Sequence, residues 1–290
     1  MAQGHFIPFL ALALKLEQEK GYSITFITTS LNIMKRRPSI PPHSFIRLLE
    51  IPYDCTFHGL PPNTESTENL PLSLFIRFLE STPSLKPAFT KIMSNLFLEE
   101  NCSRPPLCVI SDMFFSWTAK IAHTFGIFHV IFNAGGCFEP MPFPQTMFQE
   151  WLETDGMLFN TVEDMDLMGL DYYKKQFPCP IWTIGPIVSS FGSKARAGKS
   201  SEAESISKIC ANYLDSKSPN SVLYVAFDSQ LMKALTNGVP ILGWPMGVKQ
   251  SFNAKMLEED LKVCVRIMAS GVVISSDIKH KEIVRKIEIL

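Results

Sequence analysis

Apolar residues Phe6, Phe9, Leu10, Leu12, Ala13 and Leu16 recur at helical spacing near the start of the chain, and Gly21 follows as a stop. That pattern predicts a helix from Phe6 to Glu19. "YSITFITT" alternates as a strand, and "FIRLLEIP" reads as another. The long stretch "PLSLFIRFLESTPSLKPAFTKIMSNLFLEE" has helical character, with interruptions expected around Pro83 and Pro87, whose rings remove a backbone donor. Next come "PLCVISDMF" as a strand ending at Asp112, "FSWTAKIAHTFG" as a helix and "IFHVIFNAGG" as the following strand. Strands alternating with helices predict an α/β fold in which a parallel sheet is covered on both faces.

After "PIWTIGPI" the pattern changes. "VSSFGSKARAGKSSEAES" is rich in Ser, Gly, Ala and charge, and it reads as an interdomain linker. The division is residues 1–188 as one domain, 189–205 as linker and 206–290 as a second, small α/β unit. This last part holds a helix ("ISKICANYLDSK"), the apolar strands Val222 to Phe227 and Val239 to Trp244 with the short helix "LMKALTN" between them, and the helix "FNAKMLEEDL". A parallel crossover needs roughly 10–12 residues, so the connection between those two strands is at the physical minimum. That connection is where an α/β unit normally carries its ligand-binding loop, and its length leaves little room for one.

Composition narrows the class. The 290 residues are 46% hydrophobic and 19% charged, enough to bury a large core. Net charge is -1, and apart from the cluster Lys35 to Arg37, expected in a solvated loop, the basic residues are scattered. That excludes an electrostatic footprint for nucleic acid. The 7 cysteines are odd in number and never spaced as C-x-x-C, which argues against a disulfide framework or zinc site and fits a cytoplasmic, reducing compartment. No apolar run approaches the ~18 residues of a membrane span, and the opening lacks the basic start of a signal peptide.

No G-x-G-x-x-G follows a predicted strand, and neither a G-K-[ST] phosphate loop nor a G-x-S-x-G elbow occurs. Polar residues do stand at carboxyl ends of predicted strands, where open α/β sheets bind ligands: Asp112, Asn133 and Ser229. His5 lies just before the predicted first helix. A neutral imidazole there is a candidate general base, and Asp112, the carboxylate directly at a predicted strand end in this half, is a candidate to orient it. On the residues alone a plainer reading stands beside this one, in which His5 caps its helix and Asp112 is the N-cap of the next.

"QGHFIPFLALALKL", "SDMFFSWTAKIA", "DGMLFNTVEDMDLMGLDYY", "PIWTIGPI", "SVLYVAFDSQ" and "NGVPILGWPMGVKQSFNAKML" together resemble, in order and over nearly the whole chain, the plant UDP-glycosyltransferases of family 1. The resemblance implies a GT-B fold of two Rossmann-like parallel-sheet domains, the C-terminal one incomplete here. It implies inverting transfer of a sugar from a UDP-sugar to a hydroxyl of a small apolar acceptor, in plant secondary metabolism, by a monomer needing no metal or separate cofactor. By position His5 resembles the general base and Asp112 its orienting carboxylate. Asn133 falls near the sugar, Ser229 near the diphosphate, and Trp244 and Gln250 where sugar hydroxyls are contacted.

Departures from the family's pattern gather on the donor side. The stretch between the "AF-G-S" strand and "GVP", which in the family carries the residues that stack on uracil and meet phosphate and ribose, is absent. Lys233 falls at the ribose-binding Glu position, and Lys249 stands where the family carries an acid to accept sugar hydroxyls, although an ammonium only donates. Asp228 replaces the glycine of "F-G-S". A carboxylate ~4 Å from a diphosphate charge would be repelled by roughly 4 kcal/mol at an effective dielectric of 20. The family's apolar strand before "QGH" and its closing helices are also missing. The expectation is a truncated, internally deleted relative with weak or no transfer activity. A pocket that still takes apolar acceptors, and a pseudogene product without function, remain as alternatives.

Overall fold

The computed structural model describes residues 3–68, 70–98, 105–134, 145–185 and 187, and beyond these residues 209, 212, 213, 215, 216, 241–243, 254, 255, 257–259 and 262–266. The chain divides into two compact units, Met1–Ser221 and Val222–Leu290. The linker expected at 189–205 lies outside the described residues.

In the first unit, helix α1 (Gln3–Lys20) is followed by β1 (Thr25–Thr28), α2 (Ser30–Arg36), β2 (Arg47–Glu50), α3 (Phe75–Ser81), α4 (Lys86–Leu98), β3 (Cys108–Asp112), α5 (Thr118–Thr124) and β4 (Phe128–Asn133). Then come α6 (Gln145–Trp151), β5 (Gly156–Phe159), α7 (Leu167–Gln176) and β6 (Ile181–Thr183). All described ladders are parallel, as the alternation predicts. They form two sheets, one of β1 and β2 and one in the order β3-β4-β5-β6. Among the described residues no ladder joins β1 to β3, yet the two sheets share their covering layers. Phe26 of β1 and Phe132 of β4 pack in one cluster under α1, with Leu48, Ile110 and Leu158 against it. Ile27 of β1 and Val109 of β3 meet in another, around Trp117, Phe89 and Met93 beneath α4 and α5.

Several elements differ from the sequence pattern. Helix α1 begins at Gln3, with Pro8 inside it, so the break expected before Phe6 does not occur. Its residues Phe9 to Leu14 are all buried, including Ala11 and Leu14 off the expected stripe, as befits a helix apolar all round. Gly21 ends it with φ 66°, the left-handed conformation a glycine stop supplies. Pro83 does interrupt the long helical region, in a 3-10 turn Thr82–Leu85. Pro87 does not; it sits in the first turn of α4, where its missing N–H has no intrahelical partner to lose.

The basic cluster is a correction. Lys35 and Arg36 close helix α2, and Arg36 is buried with its guanidinium 5.3 Å from the ring centroid of Phe6. The stem of an arginine covers apolar surface as readily as it reaches water. Lys35 pairs at 3.0 Å with Glu68.

In the second unit, β7 (Ile241–Gly243), within the run expected as a strand, pairs in parallel with β8 (Cys264–Arg266), and residues 254, 255 and 257–259 are helical. Ala254, Leu257 and Cys264 are its buried apolar residues among those described.

Candidate active site

Strand β3 ends where an acidic side chain has most to do. Asp112 is extended (φ -66°, ψ 150°), and its Oδ1 accepts the main-chain N–H of Phe114 at 3.0 Å, starting the 3-10 turn Met113–Phe115. Its Oδ2 lies 2.6 Å from Nδ1 of His5, in the first turn of α1 and not before that helix. The Asp112 side chain is fully buried and that of His5 is 18% exposed. An ionised carboxylate only accepts, so Nδ1 carries the hydrogen and donates it. In the neutral ring Nε2 then keeps its lone pair, and among the described residues no group bonds to it. The two readings of Asp112 from sequence, cap and orienter, are therefore compatible: one oxygen does each.

The His5 ring is stacked on Phe114, with centroids 5.4 Å apart at 26°, and Phe75 meets the edge of Phe114 at 6.4 Å and 87°. The half-open imidazole thus has an aromatic wall. Glu50 also ends a strand, so Asp112 is not alone in that position, but Glu50 is exposed.

Asn133 ends β4 as expected and is buried. Its carbonyl accepts the N–H of Asn160 at 3.0 Å. Asn160, which sequence reasoning did not single out, follows β5 directly. Its amide Nδ2 donates to the carbonyl of Ala134 at 3.1 Å and its Oδ1 accepts the N–H of Ile187 at 2.6 Å, tying the segment after β4 to the segment after β6. The signal is present in "MLFN", a polar residue closing an apolar run, but the run is too short to mark a strand by periodicity.

Ser229, Trp244 and Gln250, and the altered positions Asp228, Lys233 and Lys249, lie outside the described residues. Among the described residues no group of three or more His, Cys, Asp or Glu is placed to hold a metal ion, and no helix is long and apolar enough to cross a membrane.

No family model matches the chain. UDP-glycosyltransferase 92A1 of Arabidopsis thaliana is 27% identical over an alignment of 432 residues that takes in 100% of this chain and 86% of that protein. An alignment so much longer than the chain means that the relative carries segments this chain lacks. Crocetin glucosyltransferase 3 of Crocus sativus is 35% identical over 79% of this chain, and the match spans 58% of that protein's length. Among solved structures, UGT89C1 of Arabidopsis thaliana complexed with UDP superposes with a TM-score of 0.72 at 19% identity, covering 92% of this chain and 83% of that one. UGT73P12 of Glycyrrhiza uralensis complexed with glycyrrhetinic acid 3-O-monoglucuronide gives 0.71 at 15%, covering 100% and 85%. These likenesses establish the GT-B fold.

Proposed function

The chain belongs to the plant UDP-glycosyltransferase family, and from that premise we propose that its first unit binds a small apolar acceptor beside His5 while transfer of sugar to it is weak or absent. The observation that carries this reading is the 2.6 Å bond from His5 Nδ1 to the buried Asp112. It leaves Nε2 as the lone pair that would take the proton of an acceptor hydroxyl. In the complete reaction the freed oxygen forms a bond to the anomeric carbon of a UDP-sugar from the face opposite UDP, which leaves with the bonding pair, so the centre inverts. Asp112 would stabilise the imidazolium formed and hold its ring in line. No metal enters these steps.

The aromatic wall of Phe114 and Phe75 suits a flat apolar acceptor, as do the compounds named with relatives: crocetin for the Crocus sativus enzyme and quercetin for a complex of UGT89C1. On the donor side the reading rests on the resemblance alone, by which Asp228 falls at a glycine position near the diphosphate and Lys233 and Lys249 fall at positions where the family carries acids. We place this activity in the cytoplasm, in a monomer. Isothermal titration of the whole chain tests the reading: saturable heat with a simple phenol, and none with UDP-glucose tighter than about 100 μM, is the expected pair of results. Tight UDP-glucose binding would restore the efficient-transferase reading, and silence toward the phenol would remove the acceptor pocket.

A further inference from the structure

Behind the sheet from His5 lies a second histidine. His129 of β4 is fully buried, and both ring nitrogens face hydroxyls from three other parts of the fold. Nδ1 is 2.9 Å from Thr154 Oγ1, while Nε2 is 3.0 Å from Ser111 Oγ and 2.9 Å from Thr118 Oγ1. The hydroxyl protons settle the tautomer. Thr154 spends its hydrogen on the carbonyls of His129 and Gly156, at 3.1 and 3.0 Å, so it can only accept from Nδ1–H. Thr118 spends its own on the carbonyl of Phe115 at 2.7 Å. Nε2 is therefore the acceptor, and Ser111 donates to it. Burial holds this imidazole neutral, with its pKa pushed down to about 4. The titratable groups that face it are His123 of α5 and Asp155, whose Oδ2 accepts from the His129 main-chain N–H at 2.8 Å and lies 2.9 Å from His123 Nε2.

Ser111 stands directly before Asp112 and its hydroxyl donates to Nε2 of His129, whereas Thr118, whose hydrogen goes to Phe115, only lies against that nitrogen. Strand alternation does the rest. Val109 and Ser111 point toward the α5 face, where Val109 packs near Trp117, whereas Ile110 points to the cluster under α1 and Asp112 reaches His5 on that side. Fixing Ser111 on one face fixes where Asp112 leaves the other. We infer that His129 is a positioning residue for the His5–Asp112 pair, a clasp whose Nε2 holds Ser111, the residue directly before Asp112. The functional weight of that pair rests on the reading proposed above.

The test reads the pair without substrate, so a failure of the clasp is separable from a failure of the transferase reading. In the whole chain labelled with 15N at histidine, the solvent exchange of the His5 Nδ1 proton is followed by NMR, its signal assigned by its disappearance in His5→Gln. His129→Gln returns a polar group to the Nε2 position, whereas His129→Asn returns one only to the Nδ1 position. Exchange in the Asn variant is expected to be about tenfold faster than in the Gln variant, the size of one lost hydrogen bond. Equal exchange in the two would overturn the clasp. Ser111→Ala, a small change that leaves the imidazole in place, decides the matter should the Asn variant not fold: about tenfold faster exchange than in the native chain supports the clasp, and a native rate overturns it.

Discussion

Phe114 is bound to Asp112 by its main chain and to His5 by its ring. Its N–H donates to Asp112 Oδ1 at 3.0 Å and its ring centroid lies 5.4 Å from that of His5, so a single two-residue step places both the carboxylate and the wall of the imidazole. Both contacts lie within the first unit.

Asp112→Ala removes two things together: the cap of the 3-10 turn and the acceptor of the His5 N–H. A lost cap costs about 1 kcal/mol and a hydrogen bond to a charged group about 1.5–3 kcal/mol. The expected loss in urea unfolding free energy is about 2–4 kcal/mol. Asp112→Asn, which still offers a carbonyl oxygen, should lose less. A variant with alanine as stable as the native chain would show that the bond is not formed in solution.

His129 gives the chain an acid-sensitive core. Its folded pKa, about 4, is below the ordinary value of 6.5, so between those pH values the unfolded chain binds a proton that the folded chain does not. Stability is therefore complete above about pH 6.5 and drains as pH falls toward 4, by about 3 kcal/mol from this residue alone. Asp155 works in the same direction at lower pH: burial opposes its ionisation, but the bonds from His129 N–H and His123 hold its carboxyl below the usual range. Urea midpoints at pH 7, 5.5 and 4 measure the effect, and His129→Gln should flatten the dependence over this window. Parallel pH curves for the two chains would contradict it.

Gly185 and Gly156 both stand against close neighbours but differ in what must give way. A Cβ on Gly185 would overlap Asn160, including its carbonyl carbon at 2.7 Å, in the residue that ties together the segments after β4 and β6. On Gly156 it would meet the Trp182 ring, with Cη2 at 2.9 Å, but that side chain is 42% exposed at the edge of the sheet and can swing outward. Overpacking against backbone costs typically about 1–3 kcal/mol. Gly185→Ala is expected to lie within that range and Gly156→Ala at its lower end, read from thermal or urea unfolding. The reverse ranking would mean that Asn160 is the more yielding neighbour.

The alternation of apolar runs with helical stripes was enough to read the parallel architecture. Asp112 and Asn133 were legible because each is a polar residue closing an apolar strand, the end at which an open α/β sheet meets its ligand. Less was legible where tertiary context overrode local signal. "GMLF" and "IWT" are too short to separate from loop by periodicity, which hides β5 and β6 and, with β5, Asn160. Arg36 reads as surface by charge, yet packing against Phe6 buries it. His129 sits in an apolar run with nothing local to mark it; its three hydroxyl partners come from residues 111, 118 and 154 and converge only in the fold.

Arg36 provides the last expectation, because it is a buried cation with one donor unpaired among the described residues. Its Nε is buried with no hydrogen-bond partner among the described residues, and desolvation lowers its pKa, with Glu68 pulling the other way. The ring of Phe6 offers a cation–π contact of about 0.5–2 kcal/mol, set against a desolvation penalty of several kcal/mol for an ion taken from water. Methionine keeps the length and apolar stem of the side chain without the charge, and Glu68 retains Lys35 at 3.0 Å, so no carboxylate is orphaned by the exchange. Arg36→Met should therefore match the native stability or exceed it by about 1 kcal/mol, whereas Arg36→Ala, which also empties the space beside Phe6, should lose about 1–2 kcal/mol through packing. The comparison is made by urea unfolding at pH 7, where only one direction is compatible with a burdened cation. Should the methionine chain prove markedly less stable than native, the guanidinium is making bonds that hold α2 against α1, and the residue is a structural anchor.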